Sequence, residues 1–152
     1  STWYNKVVDD LSEIVNCIDY FESELCSAKS ECRISGSLEK ASSRLPGITE
    51  HRFNQLQEIE AILEHLNIRL RKTRSKIFRQ YLESYNRQLS SRDAEKYVDG
   101  EDEVVSMTEL VNQMSLLRNK FLGITKGLDQ KSWQIGHITR LRTSGMEDVT
   151  ID

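Results

Sequence analysis

The sequence predicts an all-α protein: an elongated antiparallel helical hairpin, or coiled-coil-like bundle, of three main helices that is oligomeric. Three observations predict it. Charged residues make up 30% and hydrophobic residues 38% of the 152 positions, with a single proline, the balance usual for long helices and coiled coils. Apolar residues recur three and four apart over three long stretches. Aromatic content is only 7%, so part of the apolar surface is expected to be covered by self-association rather than by one large core. The length suits a single helical domain spanning 1–152, or one protomer of a helical assembly.

The first helix is expected over about residues 3–32. Tyr4, Val7, Leu11, Ile14, Ile18, Phe21 and Leu25 follow an a/d pattern, and Thr2 is placed to cap the first turn. Its outer face carries Asp9, Asp10, Glu13, Asp19, Glu22 and Glu24, which reads as a solvated surface. A connection is expected over about 33–48, because Ser35-Gly36-Ser37 and Pro46-Gly47 punctuate it; Leu38–Arg44 has room for one helical turn.

A long helix is expected over about 49–89, opened by Thr49 with Glu50 in its first turn. Its seam is Leu56, Ile59, Leu63, Leu66, Leu70, Thr73, Ile77 and Tyr81. A polar linker follows over about 90–105, with Asp99-Gly100 as a turn and Glu101-Asp102-Glu103 as an acidic run. Ser106 and Glu109 form an S-x-x-E capping box that opens the third helix, expected over about 106–142. Its apolar side is Val111, Met114, Leu117, Phe121, Ile124, Leu128, Ile135 and Ile138. Gly123 and Gly127 offer a shallow groove for close backbone approach, and Gly127 or Gly136 is a place for a kink. Residues 143–152 read as a tail with room for a short strand. Phe121, Ile124, Leu128, Trp133, Ile135 and Ile138 are the expected oligomer interface.

Several function classes find no support in the residues. No G-x-x-x-x-G-K-[ST], G-x-S-x-G or H-E-x-x-H occurs, so a non-enzyme without a cofactor is expected. Cys17, Cys26 and Cys32 lack the spacing of zinc or redox pairs and read as reduced cysteines. His51, His65 and His137 are too scattered for a local metal box. No apolar run is long enough to cross a membrane, and the first residues show no secretion signal, so a cytoplasmic location is expected.

The informative stretch is Leu66–Leu82, which holds Arg69, Arg71, Lys72, Arg74, Lys76 and Arg79 and no acidic residue, in a chain of formal charge −3. With Leu70 as zero, Leu56, Ile59, Leu63, Leu66, Ile77 and Tyr81 fall within about 40° at ~100° per residue. Arg69, Lys72, Lys76 and Arg79 fall at roughly 180–260°, on the far side. Within that stretch no carboxylate stands three or four residues away to neutralise them. Arginine outnumbers lysine, and its planar fork suits phosphate oxygens. All six are candidate nucleic-acid-binding residues. Tyr81 lies on the seam and is expected to pack; Phe78 and Tyr85, at its margin, are open between packing and base stacking. Near the end, Trp133, Ile135 and Ile138 suit packing, while Arg140 and Arg142 favour a helix C-terminus.

From Leu66 to Gly145 the order of features resembles the UvsY-like family of phage recombination mediators. A basic helix with Lys72-Thr73-Arg74 precedes a tyrosine-containing segment, a charged linker and an apolar helix. The end is similar to the family's aromatic-x-Ile-x-His-Ile-x-x-x-Arg, matched by Trp133, Ile135, His137, Ile138 and Arg142. The resemblance implies a helical, ring-like homo-oligomer in the host cytoplasm. It also implies that the protein binds single-stranded DNA and helps load a recombinase onto strands covered by a single-strand-binding protein. Lys72 and Arg74 would contact the DNA. The alternative is a coiled-coil structural or interaction adaptor whose basic ridge meets an acidic protein partner.

Overall fold

A computed structural model describes residues 1–84 and 89–145, and among these all regular structure is helical. The elements are α1 (Trp3–Asp9), a 3-10 turn (Leu11–Glu13), α2 (Ile14–Glu31), α3 (Leu38–Ser84), α4 (Ser91–Asp99) and α5 (Asp102–Thr143). The three stretches of helical periodicity are all helical, but four boundaries differ from expectation for local chemical reasons.

The first helix is interrupted. Thr2 caps α1 as expected, its side chain accepting from the Asn5 amide. Asp10 then accepts from both the amide and the hydroxyl of Ser12, a local bond that competes with helix continuation and starts the 3-10 turn. The 33–48 connection is shorter than expected. Gly36 takes φ +73°, the left-handed region open to glycine, and Ser37 starts α3 by accepting from the Lys40 amide. The helix then passes through Pro46 and places Thr49 in its interior. An interior proline costs about 3 kcal/mol; burial of Leu45 beside it works against that cost.

The expected 90–105 linker holds α4, capped by the Ser90 hydroxyl accepting from the Asp93 amide and anchored by buried Ala94 and Val98, one turn apart. α5 begins at Asp102, with Asp102 and Glu103 in its first turn, so Ser106 lies inside the helix and caps nothing. It runs unbroken through Gly123, Gly127 and Gly136. The expected continuation of the long helix over 85–88, with Tyr85, and the tail from Met146 onward lie outside the described residues.

The chain divides into two compact units: one from Ser1–Ile59 together with the residues from Leu117 onward, the other from Glu60–Leu116. In the first, Val7, Ile14, Cys17, Phe21, Leu25 and Ala28 are buried, as are Leu56 and Ile59 of α3. Full burial of such a side chain contributes about 1.5–3 kcal/mol. Phe21 meets Phe121 edge to face at 6.0 Å. Lys131 is buried and donates to the Glu31 carbonyl at 2.7 Å, joining α5 to the end of α2. Burial pushes the Cys17 thiol up to about 12, with the nearby Glu58 charge adding to it.

This packing corrects the expected subunit interface. Phe121, Ile124, Leu128 and Ile135 are buried within their own chain, with relative exposures of 0–6%. They are core, because α5 turns its apolar side inward. Ile138 is half-buried, and of the six only Trp133 is well exposed, at 73%.

In the second unit, Ile62, Leu63 and Leu66 of α3 and Met107 and Met114 of α5 are buried. Ile77, Val98 and Val104 form a cluster flanked by Leu70, Phe78 and Tyr81. Tyr81 donates its hydroxyl to the Glu101 carboxylate and stacks on Tyr97 at 5.6 Å. Phe78 and Tyr81 are therefore packing residues.

Candidate nucleic-acid interface

The stretch of α3 inside the second unit positions the basic side chains. Burial of Leu63, Leu66 and Ile77 fixes the helix's rotation, so the opposite azimuth faces water. Arg69, Lys72, Lys76 and Arg79 are all exposed there. Among the described residues none has a carboxylate within salt-bridge distance; the ion pairs present involve other cations. Ten residues separate Arg69 from Arg79, about 15 Å along the axis, so the cations come about one per turn. A shallow depression runs along this face, lined by Lys72, Ser75, Lys76, Arg79, Gln80 and Glu83.

The other two candidates are placed differently. Arg71 pairs with Glu64 at 3.4 Å, two turns back on the same helix, with both side chains mostly exposed. Such a pair is worth about 0–1 kcal/mol and opens readily. Arg74 pairs with Asp99 at the end of α4, where half-burial turns it away from the open ridge. The helical phase anticipates this split, because Arg74 lies only about 40° from the seam centre.

His65 belongs beside the ridge although its spacing gave no metal signal. Its azimuth, about 220° from Leu70, matches that of Arg69 and Lys72. Burial holds its imidazole below the ordinary histidine value, and the Arg69 and Lys72 charges push it in the same direction. Its sequence signal was the i, i+4, i+7 spacing His65–Arg69–Lys72. Ser75 and Gln80, which also line the depression, stood out in no pattern.

No family model, no curated protein and no solved structure matches the chain. The ridge's own donors define what it suits: two guanidinium forks and two ammonium groups within a few turns, with no carboxylate in salt-bridge distance among the described residues. Such donors take phosphate oxygens and carry no pattern that distinguishes one base from another. No group of three metal-ligating side chains and no helix long and apolar enough to cross a membrane occurs among the described residues.

Proposed function

We propose that this chain is an accessory protein that holds single-stranded DNA by its phosphates and assists the loading of a recombinase. The observation that carries the reading is the set of four exposed ridge cations, Arg69, Lys72, Lys76 and Arg79, with no carboxylate partner among the described residues. Crowding four like charges on one face is unfavourable in isolation, and a polyanion relieves it. The recombination context is supported by the likeness of Leu66–Gly145 to the UvsY-like mediators, whose partners would be a recombinase and a single-strand-binding protein. In this reading the protein changes no bond. It keeps a strand extended, and a homo-oligomer would multiply modest contacts through avidity.

Filter binding to an oligo-dT strand across salt tests it. Four phosphate contacts predict a slope of log K against log salt near about −2.8, at roughly 0.7 per contact on single strands. Lys72→Ala with Lys76→Ala should weaken binding and reduce that slope by about 1.4. An unchanged double variant would remove the ridge from the interface and favour an acidic protein as its partner.

A further inference from the structure

The first unit carries a groove of about 520 Å³ between α3 and α5. Leu45, Pro46 and Leu128 give it an apolar lining, and Phe53 lines it too with 49% of its surface exposed. Two carboxylates line it, Glu50 from α3 and Asp129 from α5. Both are exposed, and among the described residues neither forms an ion pair.

Each carboxylate has an aromatic neighbour on its own helix. Glu50 and Phe53 stand three residues apart and share one helix side. Asp129 and Trp133 stand four apart, and at 73% Trp133 is the most exposed large apolar side chain among the described residues. A carboxylate beside an exposed ring suits a cationic side chain, which gains from the charge and from the ring's face together. Glu50 with Phe53 on the α3 side and Asp129 on the α5 side, bordering the apolar lining, match an apolar anchor with a cation on either side. That is the pattern of a helix with apolar residues at i and i+3 or i+4 and Lys or Arg on its shoulders.

We propose that this groove docks a basic amphipathic helix of a protein partner. The chain's own basic face is a poor occupant. Between Ile68 and Leu82 on α3, about 21 Å apart, the ridge presents Lys72, Lys76 and Arg79 with no exposed large apolar side chain between them. The protein would then carry two separate surfaces of opposite sign, a cationic ridge for polyanions and an anionic, aromatic groove for a cationic partner. The groove shares no residue with the ridge, so the two assignments stand or fall separately.

The test is fluorescence anisotropy with the full chain and a labelled 18-residue peptide of Leu anchors flanked by Arg. Saturable binding is expected. Glu50→Gln with Asp129→Asn should weaken it by at least about threefold, and Phe53→Ala by about tenfold. Lys72→Ala with Lys76→Ala should leave it unchanged, which separates this groove from the ridge. Circular dichroism verifies that the variants keep their helicity, as the exposure of these side chains predicts. Absent binding, or binding indifferent to the groove variants, overturns the proposal. Self-association that Phe53→Ala abolishes would overturn it too, by giving the groove to a second copy.

Discussion

Arg52 donates its Nε to Glu31 Oε1 across 2.6 Å, clamping α3 to the last turn of α2 with a side chain that is only 4% exposed. The same group donates to Gln55 and Glu24, and Gln55 and the Tyr20 hydroxyl both donate to Glu24. Every member of this network has a partner, which is the condition under which a buried charge is tolerated. Arg52→Ala is expected to cost about 3 kcal/mol, the lower end for removing one partner of a buried pair. The carboxylates retain about a quarter of their exposure, which keeps the value low. A urea melt measures it. The pH dependence has a definite sign. Burial works to raise the Glu24 carboxyl, but bonds from Tyr20, Gln55 and Arg52 outweigh it and hold the group below its ordinary 4.5. Its contribution is complete above that ordinary value and is lost as pH falls through the depressed one. Arg52→Ala should flatten that acidic limb.

Gly127 and Gly123 lie one turn apart on α5 yet should respond oppositely to alanine. A Cβ on Gly127 would sit 3.0 Å from the sulfur of Cys32, just past the end of α2, so that side chain would have to give way by a few tenths of an ångström. A Cβ on Gly123 meets nothing within 4 Å. Gly123→Ala should stabilise by about 0.5–1 kcal/mol, the helix-propensity difference. Gly127→Ala should destabilise by about 1–2 kcal/mol through overpacking. Adding Cys32→Ala to Gly127→Ala should recover most of that loss, and a double-mutant cycle on thermal melts reads the coupling.

What sequence made legible is what repeats. Met114, Leu117, Phe121, Ile124 and Leu128 are buried where periodicity put them, because a 3.6-residue period over several turns leaves one choice of inward face. The same geometry separated the four ridge cations from Arg74. Single local features were not legible: the Asp10–Ser12 contact that ends α1, or the continuation of α3 through Pro46 with Leu45 buried beside it. α4 was missed because its apolar face is only Ala94 and Val98, too short a pattern to register as a period. The Arg74–Asp99 pair depends on that same helix, so its absence from the expectation follows from the missing element.

Asp99 pairs with Arg74 on the seam side of α3, away from the ridge. The pair is 38% and 61% exposed at its side chains, so it contributes little to stability and Asp99→Asn should leave the melting temperature nearly unchanged. Released, Arg74 stays on the seam side of α3, roughly 140–220° around the helix from the ridge cations. The variant is expected to bind oligo-dT at most slightly more tightly, through loss of one negative charge, with an unchanged salt slope. A slope steeper by about 0.7 would instead mean that Arg74 reaches the strand as one further phosphate contact. Salt titrations of both proteins under one buffer distinguish the two.

His65 should act as a proton-coupled reporter of strand binding. In the free protein, burial and the Arg69 and Lys72 charges hold its imidazole below the ordinary 6.5. The folded state therefore binds fewer protons here than the unfolded chain. Its contribution to stability is complete above 6.5 and declines as pH falls through that unfolded value. Phosphates seated on Arg69 and Lys72 would cancel the repulsion that opposes protonation. An NMR titration of the His65 ring, assigned with His65→Gln, should show its pKa rising when oligo-dT is added, and DNA affinity should strengthen as pH is lowered toward 6. Lys72→Ala should raise the free-state value as well and shrink the shift on binding, because one source of repulsion is already gone. A ring whose titration ignores the strand would mean that the phosphates pass farther along α3, nearer Lys76 and Arg79, and the tenth-of-a-turn agreement in azimuth would carry no contact.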